Sequence, residues 1–161
     1  MEKVKNFIRV WGVAIFAAIC GVIAFAMVYL KAVAITGANI VGAGEYTGLH
    51  VALGFTNADV AIFKPSVGVI FAFFFPLLGA CVAIIGNGNK IAAAVSSALF
   101  LTGGILALCI TKLLKGDFVG TPTRLGSVVA SGALSIVAAV AVLLPICLSL
   151  IGCKRKEPEA L

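Results

Sequence analysis

Charge is what this sequence has least of. Only 11% of its 161 residues are Asp, Glu, Lys or Arg, against roughly a quarter in a soluble domain. A chain so poor in charge, 62% hydrophobic and of mean hydropathy +1.21, cannot cover a water-soluble fold with polar surface. Histidine and tryptophan occur once each. One histidine and a few scattered acids fall short of a metal-ligand set, and the sequence implies no cofactor. The five cysteines (Cys20, Cys81, Cys109, Cys147 and Cys153) form no CxxC pair. Four of them sit inside apolar runs, where the expectation is packing rather than disulfide or metal chemistry. Lys and Arg outnumber Asp and Glu by 12 to 6. Nucleic-acid binding needs those charges clustered on a face with groups that stack on or read bases, whereas here they punctuate the ends of apolar runs, as membrane orientation requires.

What the chain does have is four such runs. Val10 to Leu30 is 21 residues without a charge, roughly 31 Å as a helix and matched to a bilayer core of about 30 Å. Ala32-Val33-Ala34 after it has the look of a signal-peptidase site. The run is nevertheless longer than the roughly 7–15 residues of a signal peptide, so an uncleaved anchor is expected. The second run is Val67 to Ile85, with Phe71, Phe73, Phe74 and Phe75 before Pro76, where either a kink or plain packing is expected. The third runs from Ile91 to Leu114, with Lys112 reaching the headgroups, and the fourth from Gly126 to Ile151. Leu78-Gly79-Ala80-Cys81 resembles a lipoprotein cleavage box but falls mid-chain.

The predicted architecture is therefore an all-α integral membrane protein, a four-transmembrane-helix bundle forming one domain over 1–161. Its spans lie at about 10–31, 67–85, 91–114 and 126–151. Its connectors are an outer loop at 32–66, a short cytoplasmic turn at 86–90, a second outer loop at 115–125 and a cytoplasmic tail at 152–161. The turn Gly86-Asn87-Gly88-Asn89-Lys90 lacks the preceding strand and the Lys-Ser/Thr pair of a phosphate loop. One side carries Lys3, Lys5, Arg9, Lys90, Lys154, Arg155 and Lys156, the other Lys31, Lys64, Lys112, Lys115 and Arg124. The first side is the richer, so the positive-inside rule places both termini in the cytoplasm, in the plasma membrane.

Spans in lipid associate through close backbone approach and polar contacts. Ser127, Ser131, Ser135 and Ala139 recur every four residues on one helix face. The expectation is a seam within the bundle, with an oligomer face as the alternative. No span carries an acidic or basic residue away from its ends, which argues against coupled transport. The small multidrug transporters, of similar size, depend on a membrane-embedded glutamate that this chain lacks.

The stretch that the membrane does not dictate is Thr36 to Phe63. His50 to Phe55 and Asp59 to Phe63 read as extended pieces with a turn near Asn57. A small hairpin-like cap on the outer helix ends is expected, or else an amphipathic piece lying in the headgroups. Glu45, Tyr46, His50, Phe55 and Asp59 are the candidate outer-face interaction residues. A catalytic use of His50 with Glu45 lacks a serine or cysteine nucleophile in the same loop.

Four spans with a larger first outer loop resemble the claudin-type tetraspan layout. That likeness is architectural, since the loop has neither the tryptophan motif nor the cysteine pair of the claudin signature. The stretch Tyr46-Thr47-Gly48-Leu49-His50-Val51-Ala52-Leu53-Gly54-Phe55 before the second span is similar to small four-span membrane proteins of Gram-positive bacteria, a resemblance that implies no activity. The leading functional expectation is a non-enzymatic structural or interaction subunit. Its partner beyond the bilayer would be another membrane protein, or a second copy of the chain. The alternatives are an oligomeric channel or transport component lined by Ser96, Ser97, Thr102, Ser131 and Ser135, and a membrane enzyme acting on lipid.

Overall fold

A backbone that finds no water satisfies its own N–H and C=O groups, and an apolar run does so as a helix. The computed structural model describes residues 2–37, 43–57, 60–87, 89–117 and 119–153, with side chains over 11–148. Asp59 and Lys154-Arg155-Lys156 lie outside the described residues, as do the side chains of Lys3, Lys5 and Arg9. Helix α1 (Glu2–Ala26) closes through a 3₁₀ turn, Met27–Tyr29, into strand β1 (Lys31–Thr36). Strand β2 (Gly44–Thr47), the short helix α2 (Gly48–Leu53) and strands β3 (Phe55–Asn57) and β4 (Val60–Phe63) follow. The chain then enters α3 (Val67–Ile85), α4 (Lys90–Leu108), the one-turn α5 (Ile110–Leu113), β5 (Thr121–Arg124) and α6 (Gly126–Cys153).

Among the described residues, four helices are long and apolar enough to cross a membrane, over Trp11–Tyr29, Val67–Ile85, Lys90–Leu108 and Gly126–Leu148. Helix α1 packs on α3 and α6, and α4 packs on the same two. Neighbours around the bundle are thus neighbours in sequence, in up-down-up-down order. The distribution of side chains reverses that of a soluble bundle. Ala14, Ala17, Cys20 and Ala24 of α1 are buried, while Ile15, Phe16, Ile19, Val22 and Ile23 of the same helix are exposed. Large apolar residues also cover the outside of α3, α4 and α6, at Phe71, Leu78, Val95, Val137 and Leu144. Contiguous apolar surface on this scale is foreign to a protein in water, and small residues at the seams are what lets helices approach in lipid.

Three seams are set by glycine. A Cβ on Gly21 of α1 would lie 2.6 Å from the carbonyl oxygen of Pro76, and one on Gly103 of α4 would lie 2.6 Å from the Pro76 ring. Pro76 is fully buried between them, inside an α3 that runs unbroken from Val67 to Ile85. The packing role that its sequence allowed is present, since Gly21 and Gly103 both close on the proline. Between α4 and α6 the approach is reciprocal. A Cβ on Gly104 would meet the oxygen of Gly132 at 3.0 Å, and a Cβ on Gly132 would meet the oxygen of Gly104 at 3.1 Å.

At the end of the bundle opposite the 86–89 turn, both long connectors fold together into a cap. Strands β2, β1 and β5 form an antiparallel sheet with β1 in the centre, pairing Ala34 with Glu45 on one side and with Thr123 on the other. Strands β3 and β4 form a separate hairpin. The cap shares one core with the neighbouring helix ends, since Val33, Ile35, Tyr46, Val51, Ile62 and Phe63 pack with Val69, Phe73, Ile110 and Val128.

Three local expectations change. First, His50 to Leu53 is helical rather than extended. The Thr47 hydroxyl caps α2 by accepting from the His50 N–H at 3.3 Å, and Gly54, at φ +92°, ends it in a conformation glycine adopts without strain. Second, the third apolar run does not continue as one helix to Leu114. It breaks at Cys109 (φ −97°, ψ 11°), and α5 then carries Ile110 into the cap core. The guanidinium of Arg124 donates to the Leu108 carbonyl, supplying a partner and a positive charge where a helix C-terminus needs both. Third, the 115–125 connector contains β5, and its Pro122 lies in an outer strand of the sheet, where a missing N–H is tolerated.

Candidate functional site

Alternation along β2 separates the first two candidate residues. Glu45 is exposed and its carboxylate lies 2.6 Å from the Lys31 ammonium, an ion pair between β1 and β2. Tyr46 turns the other way and is only 9% exposed. Its ring meets Phe63 edge-on at 4.9 Å and Phe55 at 5.7 Å. Burial pushes the Tyr46 phenol above the ordinary tyrosine value. His50, on α2, is exposed and places its ring 4.6 Å from that of Phe55 at an interplanar angle of 34°.

The fold therefore gathers Tyr46, His50 and Phe55 into an aromatic group, together with Phe63, which the sequence reading did not single out. Its signal was available: Val60-Ala61-Ile62-Phe63 is a strand-like run ending two residues before Pro65. Glu45 belongs to a different contact. It meets Lys31 rather than His50, so the two do not make the base-and-orienter pair that nucleophilic catalysis would use. Asp59 lies outside the described residues. Among the described residues no group of three or more His, Cys, Asp or Glu is placed to hold a metal ion.

The two connectors are stitched at two places. Thr36 and Thr121 face each other across β1 and β5 with their hydroxyl oxygens 3.3 Å apart, and the Thr123 hydroxyl donates to the Ala34 carbonyl at 3.2 Å. At the hairpin, the Lys64 ammonium lies 2.9 Å from the Asp117 carboxylate. The backbone N–H groups of Lys64 and Asp117 donate to the carbonyls of Lys115 and Ala61. Below it the Ser66 hydroxyl donates to the Leu113 carbonyl at 2.9 Å, joining the start of α3 to α5.

The serine stripe of α6 divides its work. Ser127 donates to the Lys31 carbonyl and ties the helix to the cap. Ser131 is buried and donates to the Ala24 carbonyl of α1 at 3.0 Å, while Ser135 donates back to Ser131 at 2.8 Å within α6. Ala139 is buried too, and its carbonyl accepts from Ser97 of α4 at 3.1 Å. Ser96 of α4 donates to the Gly79 carbonyl of α3 at 2.7 Å. Three of the four seams thus hold a buried hydroxyl bonded to the neighbouring helix, and the fourth, α1 on α3, holds Gly21 against Pro76. Of the residues a channel reading would set around a path, Ser96, Ser97, Ser131 and Ser135 are bonded inside the chain, and Thr102 is exposed and donates to Ala98 of its own helix.

No family of known proteins, no curated protein and no solved structure matches this chain.

Proposed function

We propose that this chain is a multi-pass protein of the plasma membrane whose role is to hold the cap at the outer surface as a docking platform for a partner protein, with both termini in the cytoplasm. One observation carries this reading. The two connectors, separated by two spans in sequence, are joined into a single sheet-and-hairpin unit by the β1–β5 pairing and by the Lys64–Asp117 pair. Connectors that merely link helices need no such construction. The buried hydroxyls of Ser96, Ser97 and Ser131 are bonded across seams of the bundle below, so the platform, rather than a path between the helices, is where recognition has polar and aromatic groups to use. His50 and Phe55 supply an imidazole beside an aromatic face, and Glu45, paired with Lys31, supplies an exposed carboxylate elsewhere on the cap.

The test has two parts. In a cysteine-free background, Asn57→Cys on the cap should react with an impermeant maleimide on intact cells, and Asn87→Cys at the opposite turn only after permeabilisation. The reverse pattern overturns the orientation. A photoreactive amino acid in place of Phe55 should then yield one discrete adduct of defined mass on intact cells, and Glu45→Lys should remove it without changing the thermal stability of the purified chain. If the adduct persists in Glu45→Lys, or never forms, the docking role is wrong.

A further inference from the structure

Helix α2 presents a problem that its neighbours do not solve. Of its six residues, GLHVAL, Val51 and Ala52 face inward, whereas Leu49 and Leu53, one turn apart, are 38% and 60% exposed. Between α2, α1 and α3 lies a cleft of about 100 Å³, walled by Phe25, Tyr29, Leu49, Leu53, Ile70 and Phe74 among others.

The depth of this cleft follows from two helices independently. α3 has 19 residues, about 28 Å at 1.5 Å per residue, which nearly equals a bilayer core of about 30 Å, so Val67 lies at the edge of the hydrocarbon. Phe73 and Phe74 come six and seven residues later, roughly 9–10 Å inward along the axis. On α1, Phe25 comes six residues before Lys31, the charge that marks the headgroup level, which gives about the same depth. Helix α2 lies over this level, at the edge of the hydrocarbon: the Gly48 N–H donates to the Leu30 carbonyl and the Ala52 carbonyl accepts from the Ser66 N–H, both at 3.2 Å, while a Cβ on Gly48 would lie 2.8 Å from the Phe73 ring. Its outward leucines share the cleft with Phe74, itself 46% exposed on the outside of α3.

We infer that α2 is a wedge sunk into the cap-side leaflet and that the cleft behind it receives the acyl chain of a membrane phospholipid. This rests on the membrane reading above. Water has no set of polar partners in a cleft so lined. The volume is somewhat below the roughly 150 Å³ of an apolar cavity that takes a benzene ring, so it admits a few methylenes of a chain and not a drug-sized ligand, which needs about 300 Å³ or more. Tyr29, 63% exposed at the rim, sits where an interfacial tyrosine belongs.

The sole tryptophan, Trp11, makes a direct test available. In a Trp11→Phe background, Leu53→Trp reports on α2 and Leu78→Trp, on the outside of α3, reports on the span. Both are placed in phosphatidylcholine nanodiscs with plain or brominated acyl chains, and bromine should remove most of the emission from each. If neither is quenched the chain is not in the bilayer, and this inference falls together with the function proposed above. If Leu78→Trp is quenched and Leu53→Trp is not, whether it is wet or covered by protein, only this inference falls. Occupancy is read by native mass spectrometry of the chain released from phosphatidylcholine nanodiscs. Wild type should retain one phospholipid, and Ala52→Leu, which fills the cleft, should retain about tenfold less, the factor that roughly two displaced methylenes give. Ile70→Phe is the second filling variant should Ala52→Leu not fold. A folded variant that retains lipid as well as wild type does, or a wild type that retains none, overturns the acyl-chain site.

Discussion

The hydroxyl of Ser131 on α6 donates to the main-chain oxygen of Ala24 on α1 at 3.0 Å, with both residues fully buried. Ala24 lies in the last turn of α1, where carbonyls lack a partner within their own helix. The Ser131 hydroxyl supplies one across the seam. Ser131→Ala should cost about 0.6–2 kcal/mol, the range for interhelical hydrogen bonds in membranes. Ser131→Leu should cost more, because the α1–α6 seam has no room for the added bulk. Denaturation in mixed micelles of rising sodium dodecyl sulfate measures both, and an Ala variant as destabilising as Leu would show that volume alone matters there.

Glycine positions should divide sharply. At Gly21 a methyl would lie 2.6 Å from the Pro76 oxygen and 2.7 Å from the Ala80 Cβ. Gly21→Ala must push α1 off α3 and should cost about 1–3 kcal/mol. At Gly126, the first residue of α6, a methyl would meet nothing within 4 Å. Gly126→Ala should be neutral, or stabilising by about 0.4–1 kcal/mol through the unfolded chain. The same micelle titration, run on the pair, separates packing from backbone entropy.

The joint between the two connectors can be tested covalently. Thr36 and Thr121 are directly opposed in β1 and β5, with their hydroxyl oxygens 3.3 Å apart. Opposed residues of antiparallel strands lie within or close to disulfide range. The double variant Thr36→Cys/Thr121→Cys should therefore cross-link on mild oxidation, while Thr36→Cys/Asn57→Cys, which joins the sheet to the separate hairpin, should not. Mass spectrometry of the unreduced digest distinguishes them. Absence of the first cross-link would mean that the connectors do not form one cap.

The exposed ion pair should count for little by itself. Lys64 and Asp117 are both more than half exposed, so a double-mutant cycle should return about 0.2–1 kcal/mol of coupling, reduced by salt. The backbone hydrogen bonds at the same two residues should keep the connectors together in either single variant. Cap amides that exchange freely with deuterium in Lys64→Ala would contradict this.

Tyr46 gives the cap an alkaline limit. Its phenol is held above the ordinary value of 10.0 by burial, so the folded cap binds the phenol proton more tightly than the unfolded chain does. That contribution to stability is complete below pH 10 and declines as the pH rises from there through the folded value. Melting temperature followed upward from pH 9 should fall in this window for wild type. Tyr46→Phe, which has no proton to lose, should remove that component of the decline.

Much of the bundle was legible because its signals are local. An apolar run bounded by charges needs no distant residue to become a helix of membrane length. A turn as short as Gly86 to Lys90 leaves the second and third runs little choice but to lie antiparallel. The cap was legible only as an outline. Thr47 and Gly54 are a helix cap and a helix stop, but between them GLHVAL contains a glycine and a valine, and six residues are too few for a helix that stands alone. Its helical form depends on Phe73 and Val28, against which Gly48 is pressed. The break at Cys109 is of the same kind, since the donor that takes the Leu108 carbonyl is Arg124, beyond a connector rich in glycine and proline.

From composition and spacing alone came the number of apolar helices, their order and the end of the bundle at which the long connectors lie, since each of these follows from hydrophobic runs that are contiguous in the chain. Which serine bonds to which carbonyl, which glycine admits which neighbour, and the joining of residues 31–36 to 121–124 into one sheet were decided by tertiary structure. Those are pairings between residues up to 107 positions apart. No local pattern records a partner at that separation, and only the folded backbone brings donor and acceptor within reach.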